Sequence, residues 1–252
     1  MTGVQTCALP ISRVSKVTAT LARLLIAQGM VVLGKTHTVE FAMGGWGTNT
    51  HMGTPWNPWD QTVHRTPGGS SSGSGVAVAT GMVPAAIGTD TGGSVRLPAS
   101  WDGIVGLKTT IGRISTYGVL PLSETLDTPG PMTRSVEDAA ILFKVLQSVD
   151  PEDAKTAWQP PCDPMPTLKS GVDGLKLGVL EPADREGVDA EVLAAYDASI
   201  EALAKLGAKP TKVTLPLRFK DSVDLTSGVI APECYRWVGD LAESNDALSD
   251  AT

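Results

Sequence analysis

Two short stretches hold the residues best suited to chemistry: Pro67-Gly68-Gly69-Ser70-Ser71-Ser72-Gly73-Ser74-Gly75 and Gly88-Thr89-Asp90-Thr91-Gly92-Gly93-Ser94-Val95-Arg96. A flexible linker is the bland account of the first. Against it, a small apolar segment (residues 76–83) follows at once, and a second glycine turn then ends in another serine. Attack on a carbonyl requires a hydroxyl nucleophile, a base to take its proton, and donors aimed at the developing oxyanion. Gly92 and Gly93 carry no side chains, so the backbone there can bend sharply and approach a substrate closely. The N–H groups of Thr91, Gly92, Gly93 and Ser94 could then converge on one oxygen. Ser70 could relay the proton of Ser94 to a base, since a hydroxyl both donates and accepts.

Two other motif matches fail on physical grounds. Gly29-Met30-Val31-Val32-Leu33-Gly34-Lys35-Thr36 fits G-x-x-x-x-G-K-[ST]. A phosphate-binding loop follows a strand and opens a helix; here the interior is itself strand-like and the order is helix, then strand. Gly69-Ser70-Ser71-Ser72-Gly73 fits G-x-S-x-G, whose triad runs serine, acid, histidine along the chain. His37, His51 and His64 all precede Ser71, so that triad cannot close within this sequence. The order histidine, aspartate, serine is formally possible with Ser94, but it belongs to all-β double barrels, and the helical periodicity here opposes one. The histidines read as loop or structural residues.

The elements that must hold the two turns alternate between helical and strand character. Residues 14–28 predict a helix, with Val17, Leu21, Leu24, Leu25 and Gln28 at helical spacing and Gly29 as its stop. Residues 30–33 predict a short buried strand. Residues 36–67 form a long loop rich in Gly, Asn, Thr, Trp and Pro, and a loop of that length in a compact domain is usually functional. Its Trp46, Trp56 and Trp59 suit either an apolar acyl or aromatic ligand or plain packing. Residues 74–82 predict a helix. Ser135 opens a capping-box-like start to a helix reaching Leu146. Residues 151–174 are Pro-rich and predict a surface connection, residues 175–180 a strand, and residues 189–206 a helix with Leu193, Tyr196, Ile200 and Leu203 on one face. The alternation implies an α/β fold with a mixed central sheet covered by helices on both faces.

Composition limits the partners. The net charge of -7 comes without any basic block, which argues against nucleic acid. No apolar run is long enough to span a bilayer, and the first residues lack the pattern of a secretory signal. Cys7, Cys162 and Cys234 are scattered with no C-x-x-C, so neither a disulfide framework nor a zinc site is expected, and a reducing cytoplasm is the expected compartment.

Several separated stretches agree in order and spacing with one family. They are Gly34-Lys35-Thr36 through Glu40-Phe41-Ala42, the two turns, Gly106-Leu107-Lys108-Thr109-Thr110-Ile111-Gly112-Arg113, and Asp127-Thr128-Pro129-Gly130-Pro131. On these the sequence resembles the amidase-signature hydrolases, which cleave carboxamide-type C–N bonds with a Ser–Ser–Lys triad. The resemblance implies Ser94 as nucleophile and Ser70 as bridging serine, with a cis peptide bond between Gly69 and Ser70. It implies Thr91, Gly92, Gly93 and Ser94 as oxyanion donors, and Ser71, Asp90 and Arg96 as supporting residues. It further implies a small amide and water as partners, no metal or other cofactor, and possible homodimerisation.

The family's third triad member, a buried lysine in a Val-Lys-Asp-like segment farther upstream, has no counterpart. Lys16, Lys35 and Lys108 stand in other motifs, and Lys220-Asp221 follows both serines. Residues 1–11, MTGVQTCALPI, read as a non-native, adapter-derived tail, and residues 12–252 as a partial catalytic domain truncated at both ends. Three readings follow: an amide or carbamate hydrolase, a glutaminase like the A-subunits of amidotransferases, and a piece without turnover because it lacks its base or serves only to bind a partner.

Overall fold

A computed structural model describes residues 15–244. The adapter-like tail and Cys7 lie outside the described residues. The described residues divide into two compact units, residues 15–165 with 229–244, and residues 166–228.

The first unit is built on a three-stranded antiparallel sheet in the order β1-β3-β2. Strand β1 (Ala85–Asp90) pairs along its whole length with β3 (Thr128–Thr133), and β2 (Val105–Gly106) pairs with the far end of β3. Every residue of β3 is buried. The carbonyls of its two prolines remain in use: Pro131 accepts from the Leu107 amide (3.0 Å) and Pro129 from the Thr109 hydroxyl (3.1 Å). The register sets Asp90 opposite Thr128, so the second glycine turn leaves the sheet where β3 enters it.

Helices α1 (Thr20–Ala27), α2 (Ser72–Ala79), α3 (Arg96–Asp102) and α4 (Val136–Leu146) belong to this unit. Helix α4 is the expected one. The Ser135 hydroxyl accepts from the Asp138 amide at 3.1 Å, Glu137 and Asp138 complement the positive helix end, and Lys144 lies in the last turn. Its apolar stripe, Leu142, Phe143 and Leu146, joins Leu21, Ala22 and Ile114 in one core cluster, each large side chain contributing roughly 1.5–3 kcal/mol by burial. Helix α2 is made of small residues and therefore packs closely. An added Cβ on Gly75 would stand 2.2 Å from Asp102 Oδ2 of α3, so no larger residue fits there.

Three expectations are corrected. Residues 30–33 form no strand; Val31 and Leu33 are exposed and no β-ladder pairs them among the described residues. Apolar, β-branched composition gives strand propensity but cannot supply a partner edge. Helix α1 starts at Thr20, not at residue 14. The Pro-rich connection is partly structural: a 3-10 turn (Ala154–Trp158) buries Thr156, Asp150 accepts from the Ser115 hydroxyl (2.6 Å), and Asp153 accepts from the Thr116 amide (2.8 Å). A 25-residue helix, α6 (Phe219–Glu243), with Pro232 inside it, has no counterpart among the sequence expectations. From residue 229 on it belongs to the first unit, where Cys234 and Val238 pack with Phe41 and Leu122.

The second unit holds a parallel pair, β4 (Lys176–Leu180) and β5 (Lys209–Val213), connected through α5 (Ala190–Lys205). The predicted face of α5 is its less exposed one: Leu193, Tyr196, Ile200 and Leu203 are all half-buried, and the Tyr196 hydroxyl accepts from the Leu180 amide at 3.0 Å. Strands and helices across the chain make an α/β fold, with antiparallel and parallel pairing in separate sheets.

Candidate active site

The two glycine/serine turns meet through the backbone. The Ser71 amide donates to the Ser94 carbonyl at 3.3 Å. Ser71 also stitches its turn to β1, its hydroxyl accepting from the Thr89 amide and donating to the Thr89 carbonyl, both at 3.2 Å. One turn later the Ser74 hydroxyl donates to the Ile87 carbonyl (2.9 Å). The start of α2 and the end of β1 are thus held as one piece. The Gly69–Ser70 peptide is cis. The Ser70 carbonyl accepts from the amides of Val39 (3.1 Å) and Ser72 (2.9 Å), and the Gly69 amide donates to the Gly45 carbonyl (2.7 Å). The Ser70 hydroxyl is buried with no hydrogen-bond partner among the described residues. Ser94 is 9% exposed.

Asp90 shapes the second turn. Its Oδ1 accepts from the Gly93 amide (2.9 Å) and Arg96 Nη2 (2.9 Å); its Oδ2 accepts from the Val95 amide (3.1 Å), the Arg96 amide (3.3 Å) and Arg96 Nε (3.0 Å). Burial pushes this carboxyl up, but the Arg96 guanidinium and the two amides outweigh it and hold the group below the ordinary carboxylate range. Gly93 adopts φ 137°, which a side chain would strain. The Gly93 amide is therefore engaged with Asp90. The amides of Thr91, Gly92 and Ser94 make no hydrogen bond among the described residues, and Gly92 is exposed.

Two buried carboxyls here lay outside the sequence reading of the site. The Thr91 hydroxyl donates to Asp127 Oδ1, and Asp127 Oδ2 accepts from the Leu122 amide at 2.8 Å. Burial raises the Asp127 pKa against those bonds. Asp127 also reaches a cavity of about 1030 Å³ whose lining includes Lys16, Tyr117, Leu120, Lys155 and Trp237. Asp102, at the end of α3, is buried with neither oxygen hydrogen-bonded among the described residues, and burial pushes it up to about 7. The signal available for Asp127 was its place in the Asp127-Thr128-Pro129-Gly130-Pro131 stretch; Asp102 carries none.

The remaining titratable candidates stand elsewhere. His37 Nδ1 is 3.0 Å from the Ser72 hydroxyl and its Nε2 2.8 Å from the Gly53 carbonyl, with burial lowering its pKa. His51 faces Glu40 at 3.5 Å, and His64 stacks on Trp56 at 4.7 Å. Lys108 Nζ donates to the Thr109 carbonyl (2.8 Å). Trp59 donates to the Asp102 carbonyl (2.9 Å), and Trp46 lies 5.6 Å from Trp101, so both indoles contact α3 while remaining largely exposed.

Known proteins carry the same architecture. A family model described as Amidase matches residues 4–238. The chain is 47% identical over 186 residues to 2-amino-5-chloromuconic acid deaminase of Comamonas testosteroni, covering 74% of this chain and 38% of that protein. It is 48% identical over 198 residues to the A-subunit of glutamyl-tRNA(Gln) amidotransferase from Myxococcus xanthus, covering 79% and 40%. Among solved structures, the corresponding A-subunit from Thermotoga maritima superposes with a TM-score of 0.85 at 36% identity, over 97% of this chain and 52% of that one. The native peptide amidase of Stenotrophomonas maltophilia gives 0.78 at 33% identity, over 94% and 50%. The chain spans about two fifths of the length of the curated relatives it matches. With the serine turns, their order and the fold in agreement, this chain belongs to the amidase family.

Proposed function

We propose that the protein is an amide hydrolase acting through an acyl-enzyme on Ser94. Ser94 Oγ attacks the carbonyl carbon, its proton passes to the leaving amine through Ser70, whose hydroxyl must turn to Ser94 because it makes no hydrogen bond at rest among the described residues, and the C–N bond breaks as the Ser94 ester forms. Water then attacks that ester, returning the hydrogen to Ser94 and releasing the acid. The amides of Thr91, Gly92 and Ser94 hold the oxyanion, each such donor contributing about 2.7–4 kcal/mol to barrier lowering, while the Gly93 amide, turned to Asp90, keeps the bend. Asp90, Arg96 and Ser71 act as supports. The observation carrying this reading is the Ser71–Ser94 backbone bond, which joins the turn of a buried, unpartnered hydroxyl to the turn bearing free amides. A base for Ser70 is supplied by no lysine of the two turns. The partners are a small amide and water.

The test is reaction with a fluorophosphonate followed by mass spectrometry. Adduct on Ser94 alone is expected; adduct on another serine would overturn the assignment.

A glutaminase acting within an amidotransferase is the second reading, favoured by the named relatives from Myxococcus and Thermotoga. Release of ammonia from glutamine but not from simple carboxamides, with copurifying subunits, would select it.

A further inference from the structure

We propose that Asp127 is a positioning residue for the oxyanion turn, acting through the hydroxyl of Thr91. The inference rests on the function proposed above, but its geometry stands alone. Thr91 is the first residue after β1 and carries one of the amides left free to face a substrate oxygen. Backbone amides stabilise charge only when their direction is fixed before the reaction, so whatever anchors Thr91 sets the aim of the turn.

Three contacts converge there. The Thr91 hydroxyl donates to Asp127 Oδ1. The Leu122 amide donates to Oδ2 at 2.8 Å, and the Asp127 amide donates to the Ser123 carbonyl at 2.9 Å. Asp127 is therefore held at both its backbone and its carboxylate before it receives Thr91. A further carboxylate stiffens that loop from α6: Glu233 accepts from the Ser123 hydroxyl, from the Thr125 hydroxyl and from the Thr125 amide (3.1 Å). On the other side the Thr128 hydroxyl donates to the Asp90 carbonyl at 2.9 Å, so the residue after Asp127 ties β3 to the residue before Thr91. Asp90 shapes the turn from inside; Asp127 fixes its first peptide from outside. Charge-assisted hydrogen bonds of this kind are stronger and more directional than neutral ones.

The test compares Thr91→Val, Thr91→Ser and Asp127→Asn in the full chain. Hydrogen exchange is read over residues 88–96 and, as a control, over α4. Thr91→Val is expected to speed exchange of the turn about tenfold, the loss of one charge-assisted bond, while α4 stays unchanged. Thr91→Ser should recover most of the protection. Fluorophosphonate labelling of Ser94 should slow by about tenfold or more in Thr91→Val, in the maximal rate and not in reagent binding. Should Asp127→Asn unfold the protein, Thr91→Val decides alone. Unchanged exchange in the turn would overturn the proposal, and so would unchanged labelling with faster exchange. If Ser94 stays unlabelled in the unsubstituted chain, the nucleophile reading fails, while exchange still judges the role of Asp127.

Discussion

The amide of Ser71 donates to the carbonyl of Ser94 across 3.3 Å, so the bends that carry Ser70 and Ser94 share a hydrogen bond though they lie on different elements. Displacing either bend breaks that bond, so the two hydroxyl-bearing bends are held in register.

Ser94→Ala should abolish hydrolysis and labelling. Ser70→Ala should retain the nucleophile but lose its proton path, cutting the rate by about 10²–10⁴-fold. Steady-state kinetics with unchanged thermal melting would check both. Equal, small losses in the two variants would point to a nucleophile elsewhere.

Arg96→Leu should destabilise the chain by on the order of 2 kcal/mol, because a buried carboxylate loses its counter-charge yet keeps its backbone donors. Asp90 has a depressed pKa, so its contribution is present above the unfolded value and lost as pH falls through the folded one. Without Arg96 the folded pKa rises. Acid unfolding followed by circular dichroism should then begin at a higher pH in the variant.

Asp102 behaves in the opposite sense. Burial raises its pKa to about 7, so its favourable contribution is complete below the unfolded value and disappears as pH rises through about 7. The advantage of Asp102→Asn over the parent should therefore grow by on the order of 2 kcal/mol between pH 5 and pH 8. Urea unfolding at the two pH values measures this. A parent and variant that change in parallel would mean that the carboxyl finds a counter-charge.

Gly75→Ala places a Cβ 2.2 Å from Asp102 Oδ2 and should cost about 1–3 kcal/mol by overpacking. In an Asp102→Ala background the cost should fall, leaving the 3.1 Å approach to Pro98 Cβ. The two effects are coupled through the Asp102 contact, and a double-mutant cycle of unfolding free energies reads that coupling. Additive losses would place the collision elsewhere.

Much of this was legible in the sequence because it is local. Ser135 capping α4 and the face of α5 are written in residues a few positions apart, and the two serine turns announce themselves by composition. What was missed depends on distant partners. Residues 30–33 have strand composition but no edge to pair with, and α6 runs through Pro232, which local propensity reads as a break. Asp127 and Thr91 are far apart in sequence, and nothing in either residue foretells the other. Gly93 is an expected oxyanion donor from its missing side chain and from the family resemblance; the direction of its N–H, toward Asp90, is written in neither.

The many bonds that converge on Asp90 have an implication for variation. The curve between Asp90 and Arg96 is held by the Asp90 carboxylate and the polar groups it gathers, as Asp127 holds Thr91, not by the apolar side chains around it. Ile230, the side chain nearest Gly92, makes none of those bonds. Exchanging it for another apolar residue should therefore leave the curve unchanged.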